Sequence, residues 1–509
     1  VLQDPCVKSV RVIRQVCYLF YKYELPYDDR LKQKIIDRFT KTEDDLEQSD
    51  VVLIKLNEYL QQNTTTIYDK LERLDLRRVA RRARNLLFEL FQHFDPREIN
   101  PRHGPGAVAT KQQLWSKYQW TNVSGRITEV YPFDAYFQAS IGHVCDTYER
   151  YNTVRTEDLP ARVILVPKDS RGPRLISCEP VDFQWVQQGL GSAIVRHVER
   201  TDLTRFNVFY TNQQPNQFGA LLGSETTRYS TLDLNEASDR VSVELVHLLF
   251  PEYLCRYLDA CRSLSTTLPD KQEIKLRKFA PMGSALCFPI LALTIWSLLT
   301  AAAPDEDTQQ GILVYGDDVI VPTDYSGDAM FILESFGLKI NQDKSCTKGS
   351  FRESCGVDAF KGINVTPLKL RTVWTSTPSP ESYSSWVAYA NSLYDRSLFL
   401  SYDYIVAQLT KLYWPIADDS MHNAPIRLRE RPVQIKNVPK RVNHSLQRIE
   451  YRSLEVRSLT IRQEMLGWDM LLRYFAEVAS RTGISDSNRL IEDLSSREVE
   501  PFSVRQYTK

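Results

Sequence analysis

Residues 311–322 read GILVYGDDVIVP. Two short runs of aliphatic and β-branched side chains, Ile312–Tyr315 and Val319–Val321, flank Gly316-Asp317-Asp318. Such runs predict buried strands, and a glycine with two acids between them predicts a tight hairpin. Burying two strands to push two carboxylates out at the tip needs a reason. An ordinary Gly-Asp turn is one reading of the tripeptide, and a pair of ligands for a hard divalent cation is the other. The choice depends on whether a third carboxylate, a phosphate-binding patch and a sugar-reading loop occur elsewhere.

A chain of 509 residues has room for roughly three domain-sized units or one multi-lobed body. Hydrophobic residues make up 42% and charged residues 25%, which excludes a disordered chain. Lys+Arg (64) equals Asp+Glu (64), so any attraction for nucleic acid must come from local concentrations of positive charge. Nine cysteines with no CxxC pair read as free thiols of a reducing cytosol rather than as a zinc site. Val1 in place of methionine reads as a trimmed or processed start, and the opening residues lack a signal-peptide layout. Ala285–Ala303 is uncharged over nineteen residues, near the length of a membrane span. Pro289, Thr294, Ser297 and Thr300 dilute it, so a buried core helix is expected and no membrane is implied.

Along the chain, residues 1–100 read as mostly helical. In Leu71–Phe94, Leu74, Val79, Leu86, Leu87, Leu90 and Phe91 alternate with Arg77, Arg78, Arg81, Arg82 and Arg84. That basic face reads equally as solvated surface or as RNA contact, and the acidic patch Glu43-Asp44-Asp45 with Glu47 reads as surface. Pro101–Gly106 is a rigid, glycine-punctuated loop in an irregular stretch. Residues 161–230 read as short strands and turns, and 231 to about 375 as an α+β sheet domain. Pro425–Arg462 carries about ten basic against about three acidic residues, with prolines that predict a loop or edge segment. Leu459–Arg481 reads as an apolar-striped helix.

A third carboxylate occurs in Ser230–Ser242, STLDLNEASDRVS, where a strand ends at Asp233 and a helix carries Asp239. Acids gathered within a few ångström repel, so the group makes sense with bound cations. Magnesium suits oxygen ligands with water and phosphate in the remaining positions, and two such ions can activate a 3′-hydroxyl and stabilise a leaving pyrophosphate. Val163–Pro180 supplies the complement. A strand leads to Lys168, and Arg171 and Arg174 follow on a turn-rich arm. Guanidinium forks and a mobile ammonium match a triphosphate, although a basic surface hairpin would look similar. Gly283 and Ser284 precede the apolar helix; Ser284 reads as a partner for ribose or template backbone, or as a simple N-cap. Asp239 is the natural reader of a 2′-hydroxyl. Lys344, after a short strand, is a candidate general acid toward pyrophosphate, or a solvated lysine.

Asp233…Asp239, the Gly283 loop, YGDD and FRESCG…VTP occur in the order of the palm of an RNA-dependent RNA polymerase. With FGLKINQDKS, DLNEASD and the KDSRGPRLISCEP arm, the chain most resembles the replicase β subunit of single-stranded RNA bacteriophages, the leviviruses, over roughly Arg102 to Arg371. The resemblance implies an α+β right hand of fingers, palm and thumb, with an antiparallel palm sheet flanked by helices. Residues 1–100 would support fingers and thumb, 101–230 would be fingers, and 231–375 palm with a fingers insertion at about 256–280. Residues 376–509 would form a mostly helical thumb and C-terminal region.

By the same resemblance, Asp233, Asp317 and Asp318 would hold two Mg2+ ions, with Mn2+ as a substitute. Lys168, Arg171 and Arg174 would bind the triphosphate, and Phe351–Gly356 would support the primer-strand side. The partners implied are a single-stranded RNA template, nascent RNA, ribonucleoside triphosphates, the host elongation factors Tu and Ts and a ribosomal small-subunit protein, in a bacterial host cytoplasm. Initiation would need no primer. The glycine loop departs from the family, which usually shows Gly-Asn followed by Thr-Phe; here Gly283-Ser284 and Cys287-Phe288 stand instead. The rival readings are a reverse transcriptase, which would favour a bulky side chain in place of Asp239, and a non-catalytic RNA-binding protein with a polymerase-like palm.

Overall fold

The computed structural model describes residues 5–23, 25–64, 66–151, 153–413, 417–418, 426–429, 440–455, 458–461, 467–477, 496–499 and 503–508. Its centre is a three-stranded antiparallel sheet in which Asp318–Pro322 lies between Tyr229–Leu232 and Leu313–Tyr315. The outer strands are extended by single bridges, Val208 to Val314 and Thr231 to Cys346. Beneath the sheet runs the helix Cys287–Ala302, buried at every residue from Pro289 to Ala302. It packs on the helices Leu76–Phe91 and Ser326–Ser335, which explains why it lacks a polar stripe. Each fully buried Leu, Ile or Trp in it contributes about 1.5–3 kcal/mol. Among the described residues no helix is long and apolar enough to cross a membrane, and all nine cysteines are unpaired.

A second sheet carries the basic arm. Its order is Gly172–Cys178, Ala161–Asp169, Ser265–Thr267, Glu273–Lys275, so part of segment 256–280 joins the arm and leaves the central sheet. The expectation of short strands and turns over 161–230 holds only to Cys178. Beyond it stand the helices Val181–Val198 and Gln214–Thr226. The first is buried on nearly every side, so its apolar residues follow no single stripe that periodicity could detect. The Pro101–Gly106 loop is fixed by the buried Lys117, whose Nζ donates to the carbonyls of Gly104 (2.8 Å) and Gly106 (2.7 Å).

The N-terminal part is helical as expected, with Val7–Tyr18, Asp29–Gln62 and Leu76–Phe91. Two readings of its charges need correction. Within the acidic patch Asp44 and Glu47 are exposed as expected, but Glu43 is part of an internal lock. Glu43 is buried, accepts from Lys278 Nζ (2.8 Å) and from the Arg277 N–H (2.7 Å), while Asp45 pairs with Arg240 and Glu47 with Arg277. The arginine face of Leu76–Phe91 likewise turns to the protein. Arg81 donates to the Leu60 carbonyl, Arg84 to that of Leu248, Arg78 to that of Leu71, and Arg77 pairs with Asp75. A helical projection sees the charge but not the carbonyls of neighbouring elements.

Among its described residues the C-terminal part is less helical than expected. Pro380–Asp395 and Phe399–Leu412 pack together around Tyr383, Trp386, Tyr402 and Leu409, in a core distinct from the main one. Thereafter the described residues are mostly strands, including Lys440–Asn443 hairpinned to Arg448–Glu455. Among the described residues of the predicted Leu459–Arg481 helix, Trp468–Glu477 is helical and Ser458–Ile461 is a strand paired with Ser496–Val499. Residues 462–466 and 478–481 lie outside the described residues, as do 425, 430–439 and 456–457 of the basic segment. In its described part Arg441 and Arg448 both bond Glu450.

Candidate active site

Tyr315 pairs with Asp318, so the hairpin loop consists of Gly316 and Asp317 alone. Gly316 has φ +62°, a conformation that costs other residues energy, and a Cβ there would lie 2.0 Å from the Phe288 ring. Glycine is thus required twice over. On the other side of the central strand, Leu232 pairs with Val319, which brings the next residue, Asp233, alongside Asp318. The structure therefore gathers the three predicted acids at one end of one sheet.

Their electrostatics differ. Burial, then Asp317 and Asp233, lifts the Asp318 carboxyl to about 6. Burial and Asp233 raise that of Asp317, against the pull of Lys344 and Arg174. Asp233 is the best compensated: its Oδ2 accepts from Asn341 Nδ2 (2.7 Å) and lies 3.4 Å from Lys344 Nζ, and Ser345 Oγ caps its backbone N–H (3.1 Å). Asp318 Oδ1 approaches Ser354 Oγ at 3.4 Å. The carboxylates thus turn to separate protein partners. Among the described residues no group of three or more His, Cys, Asp or Glu side chains is arranged to hold a metal ion. The donor set itself suits a hard cation: oxygen ligands only, with Asp317 exposed at the hairpin tip, Asp318 half-buried beside it and, among the described residues, no ion pair to either.

The basic arm faces these acids. Arg174 and Lys344 act on Asp317, and Lys168 feels Arg174, Arg171 and Lys344. Partial burial and those like charges hold the Lys168 ammonium below its usual range, even though its side chain reaches solvent. Asp169 offsets part of this crowding, and the positive charge left over is the electrostatic counterpart of an anionic ligand. Arg171 is placed differently from expectation. It pairs with Asp169 (2.9 Å) and stacks over Tyr21 (4.6 Å), so it braces the arm tip. The N-terminal segment clasps that tip further: the Ser170 N–H donates to the Tyr21 carbonyl (3.0 Å), and Tyr27 Oη to that of Asp169 (2.9 Å).

The segment 281–288 touches each part of the site. The Ser177 N–H of the arm donates to the Met282 carbonyl (2.8 Å), and Gly283 lies so close that a Cβ would be 2.0 Å from Ser177 O. Ser284 is buried; its hydroxyl meets Gln187 Oε1 at 3.1 Å and accepts from the Leu286 N–H at 3.2 Å. Phe288 packs edge-on to Tyr315. Asp239 sits on a short 3-10 turn, Ala237–Arg240. Burial raises its carboxyl to about 6, against the pull of Lys278, and its Oδ1 is buried without a partner. Lys344 follows a single bridge at Ile340, not a strand. Phe351–Ser354 is a strand paired with Val357–Phe360. Sequence reasoning named Phe288 without its contact to Gly316, and missed Asn341, Gln187 and the clasp by Tyr21 and Tyr27. Of these only Asn341 had a signal, its place within FGLKINQDKS.

Comparison with known proteins identifies relatives of this arrangement. A family model described as RNA replicase, beta-chain, matches residues 33–379. The RNA-directed RNA polymerase subunit beta of Enterobacteria phage SP is 30% identical over 300 residues, 58% of this chain and 50% of the relative. That of Qbeta virus (strain MX1) is 34% identical over 211 residues, 41% of this chain and 35% of the relative. The chain thus matches half or less of the length of these relatives. Among solved structures, a Sicinivirus 3Dpol RNA-dependent RNA polymerase aligns with 66% of this chain and 82% of its own, at 13% identity and TM-score 0.37, a likeness too slight to carry an argument.

Proposed function

The chain belongs to the RNA replicase beta-chain family, and from that premise we propose that it is an RNA-directed RNA polymerase copying single-stranded RNA from ribonucleoside triphosphates, without a primer. The observation that carries this reading is the apposition of Asp233, Asp317 and Asp318 to the cations Lys168, Arg174 and Lys344. An acid cluster alone binds metal and a basic arm alone binds phosphate. The two face to face suit a metal-bound triphosphate.

In this reading Asp233, Asp317 and Asp318 would hold the divalent cations, Mg2+ with Mn2+ as a substitute. When bound, these would activate the 3′-hydroxyl and neutralise the departing pyrophosphate. Lys168 and Arg174 would grip the triphosphate, with Arg171 shaping the arm. Lys344, poised at Asp233, would pass a proton to the pyrophosphate as it leaves. Asp239, with its unpartnered oxygen, would accept the ribose 2′-hydroxyl. Residues 231–375 would be the palm, 101–230 with 256–280 the fingers, and 376–509 the thumb and C-terminal region. The pairing of Ser265–Thr267 with the arm strand supports that insertion. Template and nascent RNA would be partners, as would elongation factors Tu and Ts and a ribosomal small-subunit protein, in the cytoplasm of a bacterial host.

The test is nucleotide incorporation on an RNA template with Mg2+, by the wild type and by Asp317→Asn. Ribonucleotide incorporation lost in the variant is the expected result. Deoxyribonucleotide incorporation would indicate a reverse transcriptase. No synthesis with any cation, alone or with host proteins added, would indicate a non-catalytic RNA-binding protein.

A further inference from the structure

Gln187, on the buried helix Val181–Val198, is the hub from which the segment 281–288 is held. Its Nε2 donates to the Cys261 carbonyl (2.6 Å), while its Oε1 accepts from Ser284 Oγ (3.1 Å) and from the Ala285 N–H (3.3 Å). The partners fix the orientation of the amide: a carbonyl can only accept and a backbone N–H can only donate. The side chain is 1% exposed. Gly191, one turn along, lets the same helix approach, since a Cβ there would lie 3.0 Å from the Ala285 carbonyl oxygen.

From this anchor a short path leads to the sugar-reading candidate. Ser284 and Ala285 are fixed by Gln187, Gly283 is wedged against Ser177, and the helix Cys287–Ala302 into which the turn leads packs on the Ala237–Arg240 turn that carries Asp239. Asp239 Oδ1 is buried and has no partner, and leaving such an acceptor unmet is costly. It is the acceptor that a hydroxyl donor would satisfy. Ser284 differs. Its single proton goes to Gln187 and one lone pair goes to the Leu286 N–H.

We propose that Gln187 is a positioning residue for sugar selection: it fixes the Ser284-Ala285 turn and, through the helix that follows it, the place where Asp239 meets the ribose. Ser284 is the latch of that turn and not a reader of the 2′-hydroxyl. The inference rests on the polymerase reading above.

The experiment measures kcat and KM for one ribonucleoside triphosphate and its 2′-deoxy counterpart on an RNA template, for wild type, Gln187→Leu, Ser284→Ala and Asp239→Ala. In Gln187→Leu the ratio of the two kcat/KM values should fall about tenfold, the effect of one to two lost neutral hydrogen bonds, through the ribonucleotide alone. Ser284→Ala keeps the Ala285 bond and should lower the ratio about threefold. It decides the matter if Gln187→Leu does not fold. A purely structural role would slow both sugars equally, and an unchanged ratio in either variant overturns the proposal. A loss in Ser284→Ala as large as that in Asp239→Ala also overturns it, because Ser284 would then read the sugar directly. A wild type that makes no product, or shows no ribose preference, refutes instead the polymerase reading on which the proposal stands.

Discussion

Leu232 pairs with Val319 across the antiparallel central sheet, so Asp233, which follows the one, and Asp318, which precedes the other, come side by side although 85 positions separate them in the chain. The consequence is electrostatic stress at the strand ends, and most of it falls on the less compensated partner.

That stress has a pH signature. The Asp318 carboxyl titrates near 6 in the folded chain, against roughly 3.9 when unfolded. The folded state therefore binds this proton more tightly. Its contribution to stability is full below about pH 4, declines as pH rises to about 6, and is absent above. Asp318→Asn should stabilise the metal-free protein by ~1–2 kcal/mol at pH 8, after allowance for partial solvation, and scarcely at pH 4. Chemical denaturation at the two pH values checks this; an equal effect at both would refute it.

Much of the chemistry was legible in the sequence because it lies in short, continuous patterns. The β-branched runs around Gly316, the strand ending at Asp233 and the apolar run Val163–Val166 before Lys168 each declare a strand and what stands at its end. The partners of charges were not legible. Glu43 and Lys278, Arg84 and Leu248, and Gln187 and Ser284 meet across 97 or more positions, and no local period encodes such meetings. The helix Val181–Val198 was missed for the opposite reason, being buried all round and so without a polar face to mark its turn.

Gly316→Ala should abolish incorporation while the rest of the protein stays folded. The added methyl meets Phe288, and left-handed φ costs a non-glycine residue ~1–2 kcal/mol. Phe288→Ala in the same chain removes the clash but not the strain, so partial recovery is expected. Full recovery would show that the conformation of Gly316 is unimportant. Steady-state incorporation with circular dichroism as a folding control makes the comparison.

Lys278 is fully buried, bonded to Glu43 and to the Phe39 carbonyl (2.6 Å), with its ammonium 3.6 Å from the centre of the Phe39 ring. Lys278→Met strands the Glu43 carboxylate and should cost about 3–5 kcal/mol. The double variant Lys278→Met/Glu43→Leu should recover most of that loss. Urea denaturation measures both, and a single variant as stable as wild type would contradict the lock.

The two arginines of the arm should behave differently. Arg174 has no carboxylate partner among the described residues, whereas Arg171 is bound to Asp169 and Tyr21. Arg174→Ala should raise the KM for the triphosphate by tenfold or more, on the order expected of a lost charged hydrogen bond. Arg171→Ala should act mainly on kcat, by loosening the tip. Identical effects in the two variants would mean that both touch the triphosphate alike.

The strand that begins at Asp318 has a hydrogen-bonded neighbour on each side. It has no open edge along which to slip, so mutual repulsion cannot drive its carboxylate away by shifting register. An incoming cation would meet acids whose backbone is already in place. Its binding would then require only side-chain rotation, which favours fast exchange of the ion between one round of chemistry and the next.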